Sequence, residues 1–154
     1  MSGKTIYIIT GAPNDRKSST IRALTGVHNG KSFEVEINGI TENVFVMTTS
    51  PNEVTSKVLP NGISPDQLLR LIKSLKKETK IILPIRSLGP LHNLPGAEEY
   101  IKILHNAGFT IAIVAMFNSS INLPTAVTGI LVKDTQMTAA NKLASKLRKL
   151  WSIS

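Results

Sequence analysis

The chemistry of this chain is densest in one short stretch, Thr10-Gly-Ala-Pro-Asn-Asp-Arg-Lys-Ser-Ser19. It follows an apolar run, Thr5-Ile-Tyr-Ile-Ile9, and precedes Thr20-Ile-Arg-Ala-Leu24, which reads as a helix. Strand, glycine-bearing turn, Lys-Ser and helix in that order form a cradle for phosphate. Backbone N–H groups of the turn and of the helix N-terminus point at one spot, and the helix dipole favours negative charge there. The pattern G-x-x-x-x-G-K-[ST] is met at Gly11, Lys17 and Ser18, with Arg16 where the second glycine belongs. A side chain at that position carries a steric cost if its φ is positive. Asp15 sets a negative charge beside the expected polyphosphate. A plainer reading stands next to this one: a polar strand-to-helix turn in which Asn14 or Asp15 caps the helix and Lys17 is solvated.

The elements that must position this stretch follow from the periodicity. Residues 4–10 read as a central parallel strand, because their apolar run is nearly continuous. Gly26 ends the first helix where a left-handed residue is wanted. Phe33, Val35 and Ile37 alternate with polar residues, Asn38-Gly39 signals a hairpin, and residues 44–47 form the returning strand. The second strand is therefore expected antiparallel at the sheet edge and the third inside. Residues 48–63 form a long polar loop beyond the third strand. Ser64-Pro65-Asp66 opens a helix with Leu68, Leu69, Leu71, Ile72 and Leu75 inward and Arg70, Lys73, Lys76 and Lys77 outward. Further strands are expected at 80–86, 109–117 and 129–132, with helices at 96–106 and 138–151. The expectation is one domain over residues 1–154: a three-layer α/β fold with a mostly parallel six-stranded sheet, an antiparallel second strand at its edge, and helices on both faces. Right-handed crossovers then bring the loops after the first, third, fourth and fifth strands to one sheet edge, where ligands bind.

Composition narrows the classes. The 154 residues are 42% apolar and 18% charged, which is a folded chain with a core of its own. The net charge of +8 keeps acidic partners open: nucleotide, nucleic acid or an anionic surface. It is equally the charge of a domain with lysine-rich helix faces. There is no cysteine, so disulfides and thiolate chemistry are excluded. His28, His92 and His105 show no metal-ligand spacing. No apolar run reaches membrane-spanning length and no apolar leader precedes the first strand, so the expected location is the cytoplasm.

The segment Gly11-Ala-Pro-Asn-Asp-Arg-Lys-Ser-Ser19, continuing to Ile21-Arg-Ala-Leu-Thr-Gly26, resembles the first motif of P-loop GTPases of the translation-factor-related and ribosome-assembly group. Gly11, Pro13, Asn14, Lys17, Ser18, Ser19, Ala23, Leu24, Thr25 and Gly26 carry the resemblance. The order of elements, including the antiparallel second strand, is also similar. The resemblance implies that Lys17 reaches the β- and γ-phosphates, that Ser18 holds Mg²⁺, and that the N–H groups from Asn14 to Ser19 wrap the β-phosphate. GTP or ATP with Mg²⁺ is the implied cofactor. Three departures qualify it. Arg16 replaces a glycine. The D-x-x-G motif falls on Thr48-Thr-Ser-Pro51, which leaves only threonine hydroxyls, Thr48 first among them, for a metal. The guanine-reading N-K-x-D falls on Asn118-Ser-Ser-Ile121, which keeps the asparagine alone.

Three functions remain open on the sequence. One is a degenerate GTPase-like P-loop protein that binds a nucleotide or phosphate weakly and hydrolyses little or none. Its ligand residues would be Gly11, Asn14, Asp15, Arg16, Lys17, Ser18, Ser19 and Asn118, with Ser18 and Thr48 toward a metal. Another is an active small ATPase or phosphotransferase with an atypical loop, which would need a carboxylate from Glu53 or Asp134. The third is a non-catalytic basic module that meets nucleic acid or an acidic protein. Arg86 near the expected crevice reads as a surface arginine or an anion contact, and Trp151 reads as the core anchor of the last helix.

Overall fold

The chain runs β1 (Thr5–Gly11), α1 (Lys17–Thr25), β2 (Lys31–Ile37), β3 (Ile40–Val46), α2 (Pro65–Ser74), β4 (Lys80–Arg86), α3 (Ala97–Asn106), β5 (Thr110–Ile111), β6 (Val114–Phe117), β7 (Gly129–Val132) and α4 (Ala140–Trp151). It is described by a computed structural model at residues 3–27, 31–37, 39–53, 62–91 and 93–152. The side chains of Phe33, Val35 and Ile37, the Asn38 half of the hairpin turn, loop residues 54–61, His28 and His92 lie outside the described residues.

β1 is interior. It pairs in parallel with β4 along its whole length, Thr5 opposite Lys80 through Gly11 opposite Arg86. On its other side it pairs in parallel with β5 and β6. The sheet order is β2-β3-β4-β1-β6-β7, with β5 beside β1. β2 is the antiparallel edge strand and β3 lies inside, as the alternating and continuous apolar patterns require.

The two-residue alternation of β1 divides the core between two faces. Ile6 and Ile8 pack with Leu68, Ile72, Tyr100, Ile101 and Leu104 of α2 and α3. Tyr7 and Ile9 pack with Ile21, Leu143, Leu147 and Trp151 of α1 and α4. Burial on both sides explains why the strand carries no polar face. The result is three layers, helices on both sides of a mostly parallel sheet.

Helix ends follow local chemistry. Ser64 and Gln67 form a reciprocal capping box with Pro65 in the first turn of α2. Gly26 (φ 74°) ends α1, and Gly108 (φ 92°) follows α3. Two boundaries depart from expectation. α1 starts at Lys17, so Lys17, Ser18 and Ser19 form its first turn and are not loop. A 3₁₀ turn at Thr135–Met137 precedes α4, which begins at Ala140.

The single strand expected at 109–117 is two strands. Ile111 lies opposite Ile6, but Ala115 lies opposite Ile9, so the fifth-strand segment advances by one extra residue against β1. The extra residue makes a bulge at Ala112 and Ile113. Ala112 N–H still donates to the Ile6 carbonyl at 2.9 Å, whereas the Ile113 carbonyl accepts the Trp151 indole N–H at 2.6 Å. Continuous apolar sequence cannot register such a bulge, because the run from Ile111 to Phe117 stays apolar across the break, although Ile111 of β5 is half-buried and all of β6 is buried.

Candidate functional site

Parallel pairing sets the ends of β1, β3, β4 and β6 on one edge, and specific bonds knit their loops together. Ser87 N–H donates to the Gly11 carbonyl at 3.0 Å, joining the β1 and β4 ends. Asn52 is fully buried. Its amide donates to the carbonyls of Arg86 at 3.1 Å and Pro95 at 3.0 Å, and its oxygen accepts Arg86 N–H at 3.1 Å. The Ser18 hydroxyl donates to the Thr48 carbonyl.

The turn between β1 and α1 is tight and partly left-handed. Asn14 has φ 69° and Arg16 has φ 67° and ψ 22°. Arg16 therefore occupies the conformation that the missing glycine would take freely, at a cost of about 1 kcal/mol. Its guanidinium donates twice to the Gln136 carbonyl, from Nε at 3.2 Å and Nη2 at 3.1 Å, which offsets part of that cost. A left-handed residue followed by a helical one turns successive N–H groups to the same side, an anion nest. The N–H groups of the first turn of α1 have no intrahelical partner, as at any helix start, and among the described residues no side chain caps them. Space favours Gly11: a Cβ there would crowd the Asp15 and Phe117 side chains at 3.2 Å.

Lys17 is the central side chain. It is only 5% exposed, yet its ammonium reaches three oxygens. Nζ donates to the carbonyls of Gly11 at 3.0 Å and Ala12 at 2.9 Å, and stands 3.6 Å from Glu53 Oε1. Burial lowers the Lys17 pKa below the ordinary lysine value, Arg86 adds to that, and the carboxylates of Glu53 and Asp15 oppose it. A cavity of about 360 Å³ opens here, bordered by Asn14, Arg16, Lys17, Ser18 and Ser19 with Pro13, Thr49 and Glu53.

Asp15 and Asn118 stand together on the other side of the turn. Asp15 is buried and accepts from Ala12 N–H at 2.7 Å, Asn118 Nδ2 at 2.9 Å and Gln136 Nε2 at 3.1 Å. Asn118 also donates to the Thr135 hydroxyl at 2.7 Å and accepts Thr135 N–H at 3.1 Å. Asp15 is therefore the internal brace of the turn. Both residues border a second cavity of about 550 Å³, together with Ser119, Lys133, Asp134, Gln136 and Met137. Thr48 is buried and offers its carbonyl to Ser18; its neighbour Thr49 is the threonine at the first cavity. Arg86 donates from Nε to the Leu88 carbonyl at 3.1 Å.

Sequence reasoning missed Asn52, Thr135 and Gln136. The available signal was their place just past the ends of β3 and β7, on the ligand edge. Among the described residues no three His, Cys, Asp or Glu side chains gather as a metal site. The donors that fit a magnesium ion at the first cavity are the Ser18 hydroxyl, which keeps its acceptor lone pairs, and the Glu53 carboxylate. Such an ion would supply charge neutralisation to a phosphate ligand. No described helix is long and apolar enough to cross a membrane.

No family model matches the chain. No curated protein matches it either. Among solved structures, it is similar to a nucleolar GTP-binding protein 1 from Plasmodium falciparum, with 15% identity over 99% of this chain and 88% of that one, at a TM-score of 0.41.

Proposed function

We propose that the chain is a P-loop-type protein that binds a nucleoside phosphate at the turn between β1 and α1, with little or no hydrolysis. The observation that carries this reading is Lys17. A buried ammonium held on two loop carbonyls, beside the uncapped first turn of α1 and at the wall of an open cavity, is arranged for an anion. Phosphate groups would take the first cavity, on the N–H groups of the turn and on Lys17 and Ser18. The nucleoside would lie across the turn toward the second cavity, beside Asn118 and Asp134.

Little hydrolysis is proposed because fast phosphoryl transfer needs a fixed metal and a positioned water. Among the described residues Glu53 is the only carboxylate lining the first cavity, and it is engaged with Lys17. The alternative of an active ATPase or phosphotransferase would draw on that same carboxylate. A thermal-shift panel with GTP, ATP, their magnesium-free forms and inorganic phosphate, paired with a phosphate-release assay, separates the two. Ligand that binds only the folded state stabilises it by RT ln(1 + L/Kd) at free concentration L, so Tm climbs with the logarithm of concentration once Kd is exceeded. Concentration-dependent stabilisation by nucleotide without turnover is the expected result. Turnover would establish the enzyme, and no shift with any anion would remove the nucleotide reading.

A further inference from the structure

The second edge of the sheet carries an unpaired strand beside a basic groove. Among the described residues β7 pairs only with β6, in parallel, and its other side is open. The carbonyls of Thr128 and Val132 accept from Val114 and Asn118 N–H groups at 2.8 and 2.7 Å. Both backbone groups of one residue face the same neighbour in a parallel ladder, and the side alternates along the strand. The N–H and C=O of Gly129 and Leu131 therefore point to the open edge. Natural sheets cover or charge such edges. Here Ile130 and Leu131 are 44% and 38% exposed. Between β7 and α4 runs a groove of about 470 Å³ with Ile130, Leu147 and Leu150 in it and Lys133, Lys146 and Lys149 around it. None of these lysines is in an ion pair among the described residues. α4 bears four basic residues and no acid.

We propose that β7 and the α4 groove receive an extended acidic segment of a partner protein, which adds a strand to the sheet. Its backbone would pair with Gly129 and Leu131, and every second side chain would face the groove, where apolar groups would fill it and carboxylates on that same face would meet the lysines. Charge decides against a second copy of this chain, because self-pairing at β7 would crowd both sets of lysines along one seam. The open strand edge and its apolar lining decide against nucleic acid, which offers no backbone complement to Gly129 and Leu131 and no apolar filling for the groove.

The probe is a valine–glutamate octapeptide, Val-Thr-Glu-Thr-Val-Thr-Glu-Thr, whose valines and glutamates share one face of the strand, titrated by calorimetry and by amide NMR shifts. Its valine–lysine counterpart, an oligo-glutamate of equal length and a single-stranded oligonucleotide are the comparison ligands. Leu131→Pro removes the outward N–H together with the leucine side chain and leaves the β6 ladder whole, and Leu131→Ala, which keeps the N–H, separates the two effects. Leu131→Pro should weaken the valine–glutamate peptide about tenfold. The exposed pair Lys146→Glu with Lys149→Glu should do so at least as strongly, with the fold of each variant checked by circular dichroism. Shifts should centre on Gly129 to Lys133. Absence of binding overturns the proposal, as does equal binding of oligo-glutamate that ignores Leu131→Pro. Preferential binding of the oligonucleotide, or a concentration-dependent dimer abolished by Leu131→Pro, assigns the surface to another occupant and overturns it too.

Discussion

At the scale of single residues, two carboxylates near one lysine have opposite roles. Glu53 is partly exposed at the cavity wall and lies 3.6 Å from the Lys17 ammonium, the place a bound anion would claim. Replacing it by the neutral isostere Glu53→Gln removes a competitor of modest strength, so affinity for magnesium-free nucleotide or phosphate should rise about threefold. An unchanged or lower affinity in that titration would show that Glu53 does not compete for Lys17. Asp15 is buried and satisfied by three donors. Asp15→Ala leaves the Ala12, Asn118 and Gln136 donors without their acceptor, which should cost about 2 kcal/mol in urea unfolding. A loss under about 0.5 kcal/mol would mean that the brace is dispensable.

At the scale of elements, the strands and helices that hold the site were readable because each obeys a local rule. The run at β1 is apolar on both faces and sits inside the sheet, and Ser64-Pro65 opens α2 with its cap. β4 and β7 occupy the segments at 80–86 and 129–132 that their apolar runs mark. The break between β5 and β6 was not readable, since it depends on an indole from another element taking the Ile113 carbonyl. The turn itself was legible in type and not in detail. Gly11, Lys17 and Ser18 marked the cradle, but nothing local tells that Asp15 turns toward Asn118 or that Glu53 returns to Lys17, because those contacts span the chain. Trp151 is the element-scale anchor: it is buried, edge-on to Tyr7 at 5.3 Å between ring centroids, and bonded to the bulge. Trp151→Ala should therefore destabilise the fold by about 3 kcal/mol. Trp151→Phe, which keeps an aromatic ring against Tyr7 but loses the N–H and the second ring, should cost at least about 1 kcal/mol. No loss of stability in Trp151→Phe, measured by urea unfolding followed by circular dichroism, would contradict the bulge contact.

At the scale of the molecule, three layers put the ends of four parallel strands on one edge and leave α4 as a basic face with no acid of its own. The net charge of +8 raises the local concentration of any anion, so it cannot by itself distinguish a site from a field. What distinguishes them is dependence on one buried ammonium. The decisive measurement is a calorimetric titration of GTP and ATP, at physiological ionic strength, into the native chain and into Lys17→Ala. Saturable binding at one site by the native chain, lost in Lys17→Ala while the variant keeps its circular dichroism spectrum, is the predicted result. Binding that survives the substitution, or none by the native chain, would contradict the assignment of the turn at residues 11–18 as a phosphate site.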